Sequence, residues 1–383
     1  MVQDHRQQPQ LKHVQRRVQD TPKPSLPPQA YIDKTHTFNI IARQPHSSFS
    51  CTTTLHLKPN TSTTMPISPA QNLFVYTPPT PWQRFTHSPL LTITKWLYTH
   101  QPPISAPTRR KNSIKIVCIS DTHTAQPTLP HGDVLVHAGD LTINGTFVEM
   151  QRQISWLDGV PHAHKIVIAG NHDLLLDTAC YAHHANLFNE VGSEKTEKKR
   201  RRRQDLNWGS ITYLQDCSAA ICVRGRIVRV FGAPRTPRYG NWAFQYAKTR
   251  AGDVWTGVVP EGTDVLVTHG PAKGHLDRDG AGCQALLQEL WRVRSKVHVC
   301  GHIHVGRGVE VLDWGWLQWC YDRMCIEDGG ALMRMGNLIA AIVAWVCVWL
   351  RYLVLGVRRE GRSTIINAAW EGNEEKGVIV IEV

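Results

Sequence analysis

Five short stretches of this chain carry side chains able to hold a cation: Asp121-Thr122-His123, Gly139-Asp140, Gly170-Asn171-His172-Asp173, Thr268-His269 and Gly301-His302-Ile303-His304. Imidazole nitrogens and carboxylate oxygens with no thiolate among them suit borderline or harder divalent ions such as Zn, Mn or Fe. Asp121, His123, Asp140, Asn171, His269, His302 and His304 make seven donors, more than one four-coordinate ion needs and about right for two ions sharing Asp140. On that reading His302 and His304, one residue apart, serve different ions. Two ions so placed clamp the attacking and leaving oxygens of a phosphoryl transfer and lower the pKa of a bridging water. Any one of these residues alone would read as a surface or hydrogen-bonded structural group. Five clusters in the same kind of place do not.

That place is the end of a strand. Short apolar, β-branched runs precede the clusters: IKIVCIS (114–120), DVLVHAG (133–139), HKIVIAG (164–170), DVLVTHG (264–270) and KVHVCG (296–301). RIVRVFG (226–232), TIINAA (364–369) and GVIVIEV (377–383) have the same character. Continuous rather than alternating apolarity marks strands covered on both faces. With FVEMQRQISWLDGV and CQALLQELWRVR reading as helices between some of them, the class is an α/β layered sandwich. In such folds ligands gather outside the carboxyl ends of the strands, so clusters distant in sequence converge. A glycine just before several of the clusters lets the chain turn sharply there.

The remaining composition sets bounds. The chain has 383 residues, enough for one large domain with appendages, and a formal net charge of +12. The excess is patchy, since Lys198–Arg203 is an unbroken basic run. It reads as a solvated loop, and with no nucleic-acid-reading motif beside it, nucleic acid is not an expected partner. Ten cysteines form no CxxC pair, and Cys118 and Cys300 sit inside apolar runs, which favours a reducing compartment. The polar N-terminus lacks the apolar core of a secretory signal. The expected location is intracellular, cytoplasmic or peripheral to a membrane.

Residues 1–72 are rich in Pro, Thr, Ser, Gln and His and are expected to form a disordered tail. Residues 73–110 read as a docking segment and linker, with a short amphipathic helix over Trp82–His100. The domain proper is expected over 111–383, with a basic insertion near 193–205 and an apolar one near 338–357. The latter, LIAAIVAWVCVWLRYLVLGV, is a membrane candidate by length and apolarity. A single crossing would separate TIINAA and GVIVIEV from the rest of their sheet, so a helix lying at a membrane surface is the expected arrangement.

In this order, DTH, GD, GNHD, the lone histidine of THG, and GHIH resemble the signature of the calcineurin-like metallophosphoesterases. FGAPRTPRYGNWAFQY (231–246), THGPAKGHLD (268–277) and INAA (366–369) resemble the metallophosphoesterase-domain-containing subgroup related to class III cyclic nucleotide phosphodiesterases. The resemblance covers about residues 114–383. It implies a four-layer αββα sandwich and a phosphoesterase with two divalent metal ions and a metal-bridging hydroxide. Asp121, His123 and His304 would hold one ion and Asn171, His269 and His302 the other, with Asp140 between them. It further implies that His172 stabilises or protonates the leaving oxygen while Asp173 orients its imidazole.

Arg238, Asn241 and Trp242 are candidates to line a pocket for a phosphoester substrate, with a phosphodiester expected. His162, His164, His183 and His184 stand outside any ligand pattern, and His137 and His298, inside strands, read as core hydrogen-bonding groups. The competing reading of the whole is a membrane-peripheral scaffold or phospholigand-binding module whose metals only organise the fold.

Overall fold

The apolar runs become strands because their residues are β-branched and have apolar neighbours on both sides to pack against. The computed structural model describes residues 78–102, 112–184, 202–326, 329–356, 362–370 and 377–383. The tail 1–72, the linker prolines 103 and 107, and all of Lys198–Arg203 except its last two residues lie outside the described residues.

In chain order the elements are α1 (Pro81–His87), α2 (Pro89–Thr99), β1 (Lys115–Ile119), β2 (Val134–His137), α3 (Phe147–Asp158), β3 (His164–Val167), α4 (Thr178–His184), β4 (Thr212–Tyr213), β5 (Cys217–Val223) and β6 (Arg226–Ala233). They continue as β7 (Thr236–Pro237), β8 (Gln245–Tyr246), α5 (Ala251–Trp255), β9 (Val265–Thr268), α6 (Gln284–Val293), β10 (Val297–Cys300), β11 (Gly308–Asp313), α7 (Trp316–Cys325), α8 (Ala331–Leu355), β12 (Arg362–Asn367) and β13 (Ile379–Glu382).

Two large sheets form, ordered β13-β1-β2-β3-β4 and β11-β12-β10-β9-β6-β5, and β7 pairs with β8 in a separate two-stranded one. Within them β1 to β4 run parallel, as do β12, β10, β9 and β6, while β13, β11 and β5 are antiparallel edges. Alternate residues then separate into layers. Ile116, Cys118, Val136 and Ile166 of the first sheet meet Val265, Val267, Val297, Val299 and Ile366 of the second in one buried cluster. The opposite face of the first sheet, Val117, Ile119, Leu135 and Val167, packs on Met150, Ile154 and Leu157 of α3. These three lie at helical spacing on one stripe. The outer face of the second sheet, Phe231, Leu266, Cys300 and Ile365, packs on Leu286, Leu287 and Leu290 of α6. The result is the four-layer α/β/β/α sandwich.

Helix α3 starts where its sequence says it should. Thr146 Oγ1 accepts from Glu149 N at 3.2 Å and Glu149 Oε2 accepts from Thr146 N at 3.2 Å, a reciprocal cap that satisfies two end donors. Parallel strands put their carboxyl ends at one edge, and there the two sheets are tied together. Ser120, just after β1, donates its N–H to Ala368 O at 3.0 Å, and its carbonyl accepts from Trp370 N at 2.8 Å, just after β12.

The expected single helix over Trp82–His100 is broken into α1 and α2. Pro89 supplies no N–H to continue α1, yet its fixed φ suits the first position of a new helix. The apolar insertion forms α8, which starts seven residues before the expected 338, and a further helix, α7, precedes it. Leu338, Ala341 and Ala344 of α8 pack with Leu97 of α2 and with Leu317 and Cys320 of α7. Among the described residues no cysteine is disulfide-bonded.

Candidate metal centre

At the shared carboxyl edge, the turn after each strand carries a cluster into one space. Asp121 and His123 follow β1, Asp140 follows β2, Asn171, His172 and Asp173 follow β3, His269 follows β9, and His302 and His304 follow β10. Three groups of donor atoms lie close enough to share a cation: Asp121, His123 and His304; His123, Asp140 and His172; and Asp140, His269 and His302. His304 Nε2 is 3.2 Å from Asp121 Oδ1, and His269 Nε2 is 3.3 Å from Asp140 Oδ2. Asn171 joins through Oδ1, 3.1 Å from His269 Nε2. His123 Nε2 lies 4.0 Å from the same Asp140 oxygen. Asp140 therefore stands between the two ends of the site.

The other ring nitrogens explain why these atoms face inward. His123 Nδ1 lies 3.2 Å from Thr142 O, His269 Nδ1 2.8 Å from Ala138 O and His172 Nδ1 2.8 Å from Ile143 O. A carbonyl only accepts, so each Nδ1 carries a proton, and at His123 and His269 the Nε2 of a neutral ring would offer its lone pair to an ion. An unprotonated Nε2 held 3.3 Å from a buried carboxylate, as at His269 and Asp140, is repelled unless a positive charge lies between them. The donor set fits divalent ions.

Without an ion, protons do that work. Burial alone would lower the pKa of His269, but the Asp140 charge beside it and the hydrogen bond to that carboxylate raise it to about 9. Burial would raise Asp140, yet the His269 charge holds it below the ordinary carboxylate range. Burial is also the first influence on Asp121, which its hydrogen bond to His304 nonetheless pulls down. His302, farther from a carboxylate oxygen, is dominated by burial and falls to about 4.

Asp173 departs from the role expected of it. Instead of reaching the His172 imidazole, it is fully buried and accepts four hydrogen bonds, from Gly170 N (2.8 Å), Leu141 N (3.2 Å), Thr142 N (3.0 Å) and Thr142 Oγ1 (2.8 Å). These pin the β2 and β3 turns to each other. Burial, then the neighbouring Asp140 charge, raises its pKa to about 6. The orienting contact on His172 comes instead from the Ile143 carbonyl. A backbone acceptor leaves no trace in side-chain types.

Of the pocket candidates, Trp242 lies against the His172 ring with centroids 4.2 Å apart. Arg238 and Asn241 are exposed in the same loop. Ala243 N donates to Asn171 O at 3.1 Å, which holds that loop over the site. Tyr239, which the sequence reading passed over, has its ring 5.5 Å from that of His302. Its place between Arg238 and Asn241 was the available signal.

His162 and His164 bond to the carbonyls of Pro130 and Cys222, each at 3.0 Å, and join none of the donor groups. The side chains of His183 and His184 lie outside the described residues. His137 and His298 are buried and bonded to Thr122 Oγ1 (3.1 Å) and Thr268 Oγ1 (2.8 Å), and burial lowers both to about 3.

A family model described as calcineurin-like phosphoesterase matches residues 114–306. A protein of Emericella nidulans named probable rhamnogalacturonate lyase C is 41% identical over 295 residues, 76% of this chain and 26% of that protein. Metallophosphoesterase domain-containing protein 1 of Homo sapiens is 38% identical over 207 residues, 51% of this chain and 62% of that protein. UPF0046 protein C25E10.12 of Caenorhabditis elegans is 34% identical over 214 residues, 52% of this chain and 72% of that protein. The chain thus spans about a quarter of the first of these relatives and less than two thirds of the second.

Proposed function

We propose that this chain, which belongs to the calcineurin-like phosphoesterase family, hydrolyses phosphodiesters with the help of two divalent ions. The observation that carries the reading is the convergence of imidazole nitrogens on two buried carboxylates, His123 and His269 Nε2 on Asp140 and His304 Nε2 on Asp121. Asp121, His123 and His304 would hold one ion, Asn171, His269 and His302 the other, and Asp140, within 4.0 Å of nitrogens from both sets, both. Mn, Fe and Zn all suit these donors. When bound, such ions neutralise charge on a phosphoryl group and lower the pKa of water.

The chain's own residues do the rest. His172 N donates to Asp140 Oδ1 at 2.8 Å, so the backbone that carries this imidazole is fixed to the central carboxylate. Its Nδ1 is taken by Ile143 O, which leaves Nε2 to hold a proton for a departing alkoxide. Trp242 and His123, with ring centroids 4.2 and 4.9 Å from that of His172, limit the ring's freedom and shield it from water on two sides. Asp173 is a positioning residue that keeps both turns in register. Arg238 and Tyr239, on the loop above, would meet an anionic substrate.

The test is hydrolysis of bis(p-nitrophenyl) phosphate by the full chain supplied with Mn, beside its His172→Ala variant. The variant should keep its metal content and lose roughly 10²–10⁴-fold in kcat, the usual contribution of a proton-transfer group. If metal-loaded wild-type protein turns over neither this diester nor the monoester, the non-catalytic phospholigand-binding reading takes its place.

A further inference from the structure

The metal site leaves unexplained the helical layer on the outside of the molecule. Helix α8 buries one stripe, Leu338, Ala341 and Ala344, against α2 and α7. Its other faces are exposed and apolar: Leu332, Met335, Ile339, Ile342, Val343, Val346, Leu350, Leu353 and Val354 each keep at least 43% of their surface. From Met335 to Leu350 the helix holds no charged residue at all. At 1.5 Å per residue this uncharged stretch is about 24 Å long. Exposed apolar surface of that extent is not left to water in a stable protein.

Three observations identify what covers it. The first is charge. Neither Pro81–Thr99 nor Ala331–Leu355 contains an aspartate or glutamate, and between them they carry Arg84, Lys95, Arg334 and Arg351. Asp279, from a neighbouring loop, reaches Arg84 at 4.0 Å. A second copy of the chain would bring a like-charged layer against this one, whereas an anionic lipid surface complements it.

The second is aromatic composition. Trp82, Trp96, Trp316, Trp319, Trp345 and Trp349 stand on α1, α2, α7 and α8, six of the chain's 13 tryptophans. Indole rings, apolar with one N–H, concentrate at the level of lipid headgroups. Trp345 and Trp349 both donate to His100 O, at 3.0 and 3.3 Å.

The third is topology. α7 and α8 lie between β11 and β12, which are antiparallel neighbours paired from Gly308↔Asn367 to Asp313↔Arg362. The chain leaves and re-enters the sheet at the same edge. One crossing of a bilayer would pull β12 out of that register, and packing on α2 and α7 holds α8 flat against the domain.

We propose that α8, with the exposed aromatic residues of α1, α2 and α7, is a membrane-docking face that lies in the headgroup region of an anionic bilayer without spanning it. The face is separate from the metal centre and does not depend on its being catalytic.

The full chain, mixed with sucrose-loaded vesicles of phosphatidylcholine containing about 30 mol% phosphatidylserine, should sediment with them, and less with phosphatidylcholine alone. Raising salt to about 0.5 M should weaken binding without abolishing it, since the apolar contribution is unscreened. Bilayers with brominated acyl chains should quench part of the tryptophan emission. Ile342→Glu with Val346→Glu, both at exposed positions and so compatible with folding, should lower partitioning roughly tenfold or more while metal content stays unchanged. Wild-type protein that remains monomeric and in the supernatant with both kinds of vesicle overturns the proposal. A concentration-dependent dimer that the same substitutions dissolve, with no vesicle binding, overturns it too and assigns the face to a second copy. Neither result touches the phosphoesterase reading, because no arm of the test uses turnover.

Discussion

Replacing His275 should cost the protein several kcal/mol although this residue lies outside the metal centre. Its imidazole is fully buried between two carboxylates, with Nδ1 2.9 Å from Glu310 Oε1 and Nε2 2.9 Å from Asp322 Oδ1. Tyr98 of α2 donates to Glu310 at 2.9 Å, and Trp291 of α6 donates to Asp322 at 2.7 Å. One cluster thus joins α2, α6, α7, β11 and the loop that leaves His269. Burial would lower the imidazole pKa, but the Glu310 and Asp322 charges carry it up to about 10. From an ordinary value near 6.5, at 1.36 kcal/mol per pH unit, that corresponds to roughly 4–5 kcal/mol. Breaking a buried pair typically costs about 3–5 kcal/mol, so the two routes agree.

Because the folded pKa is raised, this stabilisation is complete below about pH 6.5 and is lost as pH climbs towards 10. Glu310, whose pKa the His275 charge lowers despite burial, sets the acid limit: its share is lost as pH falls below the ordinary glutamate range. The two describe one interaction and are not added. Urea unfolding of the full chain, followed by tryptophan emission at pH 6 and pH 9.5, should show the gap between wild type and His275→Leu narrowing at the higher pH. A loss under about 1 kcal/mol, or a gap constant across that range, would refute a charged, paired imidazole.

Asp140→Ala should abolish retention of two metal equivalents, measured by elemental analysis of the folded variant, because its carboxylate lies between both donor sets. Gly170→Ala should destabilise by about 1–3 kcal/mol in thermal unfolding and weaken metal retention. Its added Cβ would stand 2.2 Å from Asp140 Oδ1 and 2.6 Å from His269 Cε1, and backbone 2.3 Å away at Asp140 N blocks retreat. Metal uptake should release a proton from His269, whose pKa is raised to about 9 in the absence of metal. Affinity should therefore fall about tenfold per pH unit below 9, read by calorimetry in buffers of different ionisation heat.

What could be read beforehand and what could not divide along a physical line. The strands carrying Asp121, Asp140, Asn171, His269 and His302 were legible because buried parallel strands write continuous apolar runs, and polar residues at their ends stand out against them. β5, CSAAICV, is an edge strand with mixed exposure and passed unnoticed, as did β11 and its partly exposed GVEVLD. The break at Ser88-Pro89 was written in the sequence as a proline but masked by apolar residues on either side. The His275 cluster was not legible at all. Its carboxylates lie 35 and 47 residues away, on an edge strand and in an inserted helix, and no spacing rule relates them. The roles of Ile143 and Ala138 were equally hidden, since the atoms that orient the imidazoles are carbonyls, which every residue has.

The centre's backbone carries strain that only this network of turns accounts for. Asp121, His123, Asp140 and His302 adopt φ of 56°, 44°, 53° and 65°, in the left-handed region that costs side-chain-bearing residues about 1–3 kcal/mol each. They hold it because each turn is bonded to another. Asp121 N donates to Gly139 O at 2.9 Å, His123 N to Asp140 O at 3.1 Å, and His302 N to Asp121 Oδ2 at 2.9 Å. Asp140 Oδ1 accepts from His172 N, and Asp173 ties down the chain on either side. Glycine at any of the four would relieve the strain and delete a donor at the same stroke. The strain therefore stays where the candidate ligands are, and the stability that sustains it comes from the layered core beneath. Donors held in place before any ion arrives lose little freedom in binding it, which is how a turn with an unfavourable conformation becomes the favourable choice for a metal site.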